Sequence, residues 1–256
     1  MAGAAIRAYW PQTASTVLGK MAVPKLDRDA RRAALRACPL FETVRPAELD
    51  AILDLASERR WKRGQTIFQQ GDEGSSMMAV LAGTVRIGAV SAEGREVTLN
   101  TIRAGEVFGE IALLDGKPRS ADAIAMEDTA LLVVERRHFL PFLSANQDLT
   151  LRLLSVLCKR LRETSETLGD LVMFELPGRL ARLLVKLAED HGNRTGSGIR
   201  IEFKLSQRDL GTRIASSRES VNKQLGAWRD EGLLHLDRGY ITLLRPDRFK
   251  HMATDG

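Results

Sequence analysis

From Trp61 to Val134 the chain breaks into short apolar or alternating runs separated by glycines, and this patterning restricts the fold more than any other feature. Thr66-Ile67-Phe68, Met77–Leu81, Thr84-Val85-Arg86-Ile87, Val97-Thr98-Leu99 and Ala130–Val134 have the length and composition of strands. Gly64, Gly71, Gly74, Gly83, Gly94 and Gly105 punctuate them as turn residues. Regularly spaced short strands with turns predict an antiparallel β-roll or barrel.

The periodicity on either side is helical. Residues 31–56 read as short helices around Leu40-Phe41 and Ala47–Leu53, and a long helix is predicted from Arg137 to Phe174. Within it Leu154, Leu157, Leu161, Thr164, Leu168 and Leu171 are spaced 3-4-3-4-3, the seam of a coiled coil with one polar member. That seam predicts a homodimer through residues 150–172. Glu175-Leu176-Pro177-Gly178 ends the helix and supplies a hinge. Leu180, Leu183, Leu184 and Leu187 mark an amphipathic helix, His191–Gly198 reads as a loop, and Ile199, Ile201, Phe203 and Leu205 alternate as a strand. Two short helices and a hairpin turning at Asp237-Arg238-Gly239 follow.

The expected class is therefore α+β, with a β-roll and flanking helices over residues 31–136, a dimerisation helix over 137–174 and a C-terminal domain over 175–256. Residues 1–30 read as a flexible extension, with Met21 as an alternative start.

A chain of 256 residues can bury a substantial core. Its net charge of +5 permits a polyanionic partner without establishing one. The two cysteines, Cys38 and Cys158, are too few for four-cysteine iron–sulfur ligation, and Cys158 reads as a buried, inert thiol. His138, His191, His235 and His251 are scattered, so no metal cluster or nucleophile–base set emerges and an enzyme is not expected. No apolar run approaches the roughly 20 residues that span a bilayer, and no secretory signal is apparent. A cytoplasmic protein without membrane attachment is expected.

Phe108–Ala121 concentrates unusual chemistry. Gly109 allows close backbone approach, and Glu110–Leu113 can open a helical turn whose amides face an anion. Glu110 can accept from a sugar hydroxyl, while Arg119 and Ser120 can hold a phosphate. A β-turn with a surface Glu–Arg pair would have the same sequence. Chemistry alone leaves both readings open.

A second constellation spans Leu205–Leu225. Ser206 with Asp209 reads as a helix cap, Leu210 and Ile214 face inward, and Ser217 caps a second helix whose buried stripe is Val221, Leu225 and Trp228. The opposite face carries Arg218, Glu219, Asn222 and Lys223. This is helix-turn-helix geometry, with side chains placed to reach base edges in a major groove.

The first segment resembles the phosphate-binding cassette of cyclic-nucleotide-binding domains. The chain from about Leu40 onward resembles the catabolite activator protein family of Crp/Fnr-type regulators. That resemblance implies a winged helix-turn-helix at the C-terminus and a cAMP pocket built from Gly109, Glu110, Ile111, Ala112, Arg119, Ser120 and Ala121. In it Glu110 holds the ribose 2′-hydroxyl, and Arg119 and Ser120 hold the cyclic phosphate. Arg160–Glu166 resembles the family's adenine-reading stretch, with Arg160, Thr164 and Ser165 as contacts, one hydroxyl coming from the partner subunit. Ser206, Arg208, Ser217, Arg218, Glu219, Asn222 and Lys223 become contacts to double-stranded DNA, with Arg218 on guanine and Glu219 accepting from cytosine N4. Two residues depart from the pattern. Lys223 stands where a second Arg is expected, and Gln207 replaces a basic phosphate contact, leaving Arg208 to substitute. The implied function is a cAMP-responsive homodimeric regulator on a palindromic TGTGA-like operator, with RNA polymerase a further candidate partner. A regulator of the same fold sensing cGMP, a cyclic dinucleotide or no nucleotide is the alternative. No metal or iron–sulfur cluster is implied.

Overall fold

The computed structural model describes residues 26–91 and 96–255, so most of the expected extension at 1–30, and Gly94, lie outside the described residues. The chain opens with α1 (Arg28–Arg36) and α2 (Pro46–Leu55), followed by β1 (Ser57–Trp61), β2 (Thr66–Phe68), β3 (Ser76–Ala82), β4 (Thr84–Val90), β5 (Glu96–Arg103) and β6 (Val107–Phe108). Then come α3 (Glu110–Asp115), β7 (Asp122–Ala125), β8 (Thr129–Glu135), α4 (Arg136–Ala145) and α5 (Gln147–Met173). The remainder comprises α6 (Leu176–His191), β9 (Gly192–Thr195), β10 (Gly198–Ile201), α7 (Gln207–Arg213), α8 (Arg218–Asp230), β11 (Leu234–Asp237), β12 (Tyr240–Leu243) and α9 (Pro246–Asp255). Two compact units result. One contains the described residues up to Gly88 with Asn100–Cys158, the other those of Ala89–Leu99 with Lys159 onward.

The roll consists of two four-stranded sheets, ordered β1-β8-β3-β6 and β2-β7-β4-β5. The pairings β3–β8, β1–β8, β2–β7 and β4–β7 are antiparallel, as expected. Strands β3 and β8 explain why their sequences are nearly continuous apolar runs rather than alternating ones. Met77, Ala79, Leu132 and Val134 pack with Leu35, Leu49 and Phe139 of the flanking helices. Their neighbours Met78, Val80, Leu131 and Val133 pack with Val85, Ile102 and Ala123 inside the roll. A strand buried on both faces has no polar side to show.

Several expectations are corrected. The single helix over 137–174 is two helices, because Asn146 leaves helical backbone (φ −131°, ψ 95°) and its Oδ1 accepts from the Leu149 N–H at 3.2 Å. Leu40-Phe41 is a turn, not a helix, anchored by its buried side chains. The expected loop at His191–Gly198 is largely the β9–β10 hairpin, and β10 stops at Ile201 instead of running to Leu205. Cys158 is exposed; only Cys38 is buried. Strand β1, of sequence Ser-Glu-Arg-Arg-Trp, was hidden by its polarity. It pairs Ser57 with Val133 through to Trp61 with Thr129.

The C-terminal unit folds around Leu180, Leu184, Leu210, Val221, Leu225, Trp228 and Phe249. Trp228 and Phe249 meet edge to face, 5.0 Å between centroids. β11 and β12 pair as a hairpin and continue the sheet as β11-β12-β10-β9. Helices α7 and α8 with this small sheet form the winged helix-turn-helix.

Candidate ligand cassette and nucleic-acid reading head

Gly109 adopts the left-handed conformation (φ +79°, ψ 9°) at the N-cap of α3, and Gly116 closes the helix in the same conformation with its N–H on the Ala112 carbonyl. Glu110, between them, is 1% exposed, and Arg119, three residues past Gly116, is 5% exposed, so the pair is not the surface ion pair that would make the motif empty. The Arg119 guanidinium is held on three sides. Nη1 donates to the Gly109 carbonyl at 2.9 Å, Nη2 to Ser76 Oγ at 3.0 Å, and Cζ lies 4.3 Å from the centre of the Phe68 ring. Nε is buried with no hydrogen-bond partner. Among the described residues Arg119 makes no salt bridge, and burial lowers its pKa against the opposing influence of Glu110 and Asp72. A buried cation without an ion-pair partner is poised to receive an anion.

The backbone sets this geometry. The Arg119 N–H donates to the Asp72 carbonyl at 2.8 Å, and the Gly71 N–H donates to the Arg119 carbonyl at 2.9 Å. At Gly74 a Cβ would collide with Ala112 Cβ, so that glycine allows the 72–76 segment to lie against the cassette. Ala112 and Ala121 are buried, whereas Ile111 and Ser120 are exposed. Sequence reasoning missed Phe68, Asp72, Gly74 and Ser76 as members of this site. They come from β2, β3 and the turn between them, and no local motif announces them.

Arg160, Thr164 and Ser165 stand on α5, in the unit that does not hold the cassette. The Thr164 and Ser165 hydroxyls donate to the carbonyls of Arg160 and Leu161, each at 2.9 Å. Both residues are exposed.

In the reading head Ser206 caps α7 through a capping box. Its Oγ accepts from the Asp209 N–H at 3.0 Å, while the Asp209 carboxylate takes the Ser206 N–H. Ser217 caps α8 by accepting from the Ser220 N–H at 3.1 Å. Val221, Leu225 and Trp228 are buried as expected, and Ser217, Arg218, Glu219, Asn222 and Lys223 are all exposed. The Glu219 carboxyl is held below its ordinary pKa by its own backbone N–H and the Ser217 hydroxyl. Arg208 is engaged by Glu96 at 2.7 Å, and Thr98 donates to Thr212 at 2.9 Å, both within the C-terminal unit. A further basic cluster was not foreseen. Arg200 stacks on Tyr240 at 4.3 Å with Lys204 at 5.9 Å, beside the 237–239 turn.

Among the described residues no group of three or more His, Cys, Asp and Glu side chains could hold a metal ion, and no helix is long and apolar enough to cross a membrane.

Comparison with known proteins matches residues 58–146 to the cyclic nucleotide-binding domain and residues 178–252 to the Crp-like helix-turn-helix domain. A cyclic AMP receptor protein of Thermus thermophilus is 34% identical over 207 residues, 81% of this chain and 93% of that protein. A CRP-like cAMP-activated global transcriptional regulator of Mycobacterium tuberculosis is 28% identical over 214 residues, 84% of this chain and 96% of its own. The solved c-di-GMP-responsive global regulator CLP of Xanthomonas campestris shares the fold, with a TM-score of 0.69 at 22% identity over 78% of this chain and 99% of that one. With both domains matched and a relative aligned along nearly its full length, the chain belongs to the Crp/Fnr family of DNA-binding transcription regulators that carry a cyclic-nucleotide-binding domain.

Proposed function

We propose that the protein is a cAMP-responsive transcription regulator acting as a homodimer on a palindromic TGTGA-like operator. The observation that carries the ligand half is the buried Arg119. It is cradled by the Gly109 carbonyl, Ser76 and Phe68 beside a buried Glu110, and no protein carboxylate ion-pairs with it among the described residues. A cyclic phosphate supplies the missing anion, and its ribose supplies a hydroxyl for Glu110. Thr164 and Ser165 make adenine the favoured base, by the family resemblance and by the cAMP named in two relatives. The exposed leucines of α5 supply the dimer seam, for Leu154, Leu161 and Leu168 are 51%, 69% and 62% exposed in the single chain. On the DNA, Arg218 reads guanine and Glu219 reads cytosine, with Ser206, Arg208 and Ser217 on phosphates and Asn222 and Lys223 alongside.

The mechanism is a population shift. Nucleotide binds the DNA-competent arrangement more tightly than the resting one, and the contacts at Thr164 and Ser165 carry that difference. Titration calorimetry with cAMP, cGMP and c-di-GMP, followed by operator binding with and without each, tests the reading. Tightest binding and DNA stimulation by cAMP are expected, and Arg119→Ala and Glu110→Ala should each lose at least about tenfold in affinity. Preferential response to c-di-GMP or cGMP would move the ligand to the alternative. Full cAMP binding by Arg119→Ala would remove the pocket assignment.

A further inference from the structure

The six residues of α3 are too few to hold a helix by themselves, and the last turn leaves carbonyls without intrahelical partners. Arg136, the first residue of α4, provides for two of them. Its Nε donates to the Leu113 carbonyl at 2.6 Å and its Nη2 to the Leu114 carbonyl at 3.4 Å. A guanidinium at that end also suits the negative pole of the helix. The Arg136 N–H is tied as well, donating to the Ser75 carbonyl at 2.7 Å. Ser75 precedes Ser76, whose Oγ holds Arg119, and Ser76 is in register with Glu135 on β8. The far end of the cassette helix and the phosphate-facing arginine are thus both referenced to the β8–α4 junction, one by a side chain and one through two adjacent serines.

We propose that Arg136 is a positioning residue for the anion site. It fixes α3 against the start of α4, so that the Gly109–Ala112 segment and Arg119 keep one geometry. Occupancy of the cassette is thereby felt at α4, the helix that leads into α5. The proposal rests on the nucleotide reading of the cassette but uses residues outside it. Arg137, the neighbour of Arg136, provides a control, being an exposed residue paired, among the described residues, with the exposed Glu135 at 2.8 Å.

The test uses the full-length protein. Calorimetry with cAMP should show Arg136→Ala weakened about tenfold, equivalent to about 1.4 kcal/mol, with Arg137→Ala unchanged. Arg136→Lys, which keeps the cation and one donor, should recover most of the loss. Arg136→Gln keeps a donor without the charge and serves if the alanine variant does not fold. Hydrogen exchange without nucleotide should show faster exchange over residues 110–116 in Arg136→Ala or Arg136→Gln and not in Arg137→Ala. A purely structural Arg136 would lower the melting temperature while leaving the cAMP affinity at the wild-type value, and that result overturns the proposal. Should the wild-type protein take up no cAMP, the nucleotide reading fails by itself. The exchange data then decide, and unchanged protection at 110–116 would overturn the positioning role.

Discussion

At Gly109 the backbone turns through φ +79°, and a Cβ there would stand 2.7 Å from Arg119 Nη1 and 3.2 Å from the Ser76 carbonyl. An alanine would meet left-handed backbone strain of about 1–2 kcal/mol and would also push the guanidinium from its cradle. Gly109→Ala is therefore expected to lose at least about tenfold in cAMP affinity by calorimetry, beyond any fall in melting temperature. At the other site, the role proposed for Glu219 is to accept from cytosine N4, and its ionised carboxylate is the stronger acceptor. Its folded pKa is lowered, first by its own backbone N–H and then by Ser217, so its ionised form persists below the ordinary carboxylate range near 4.3 and is lost only as pH falls through the lower folded value. Discrimination at the cytosine position should stay flat from pH 7 to about 5, measured by competition with a C-to-T operator. Loss of discrimination within that window would assign the reading to another group. Gly109, Glu110 and Arg119 were legible in the sequence because they lie in one contiguous segment. Phe68 and Ser76 were not, since tertiary pairing brings them in from strands about 40–50 residues away.

Elements follow the same division between local and nonlocal information. Both caps of the helix-turn-helix are local, and they stand where Ser206, Asp209 and Ser217 predict them. The break between α4 and α5 was missed because the apolar periodicity runs through Asn146 without interruption, and only one side chain redirects the backbone. Strand β1 was missed because register with β8, not hydrophobic pattern, makes it a strand. The turn between α7 and α8 gives a test at this level. Gly211 lets the Ser216 N–H reach its carbonyl at 2.9 Å, and a Cβ there would lie 2.7 Å from the Ser216 oxygen. Gly211→Ala should displace the start of α8 and abolish operator binding. Its cAMP affinity should be unchanged, because the cassette belongs to the other unit. Ala215 offers the opposite case, an alanine at φ +49°. Replacing it with glycine removes about 1–2 kcal/mol of strain against about 0.5–1 kcal/mol of added chain entropy. Ala215→Gly should keep both DNA binding and melting temperature, as a fluorescence anisotropy titration and a thermal scan would show.

For the molecule as a whole, the informative surface is α5, a helix about 40 Å long by its 27 residues. Leu154, Leu161 and Leu168 of its predicted seam are exposed in the single chain, with Val172 and Met173 beyond them at 77% and 75%. An apolar stripe of that length is normally covered, and a second copy offers a complementary face through the same heptad pattern. Polar Thr164 stands in that predicted seam, and the function proposed above assigns the partner's hydroxyl to the bound adenine. Leu161→Glu with Leu168→Glu places like charges at two core positions one heptad apart and should convert a dimer to a monomer, read as a halved mass by light scattering. Because a palindrome is read by two heads about 34 Å apart, the monomer should lose operator affinity steeply, leaving weak, salt-sensitive binding. Its cAMP affinity should fall too, whereas in Gly211→Ala it does not, since only the first variant removes the partner's hydroxyl. Retention of dimer mass in the doubly substituted protein would remove the α5 seam as the interface. A monomer with wild-type cAMP affinity would instead keep the seam and make each pocket the property of one chain.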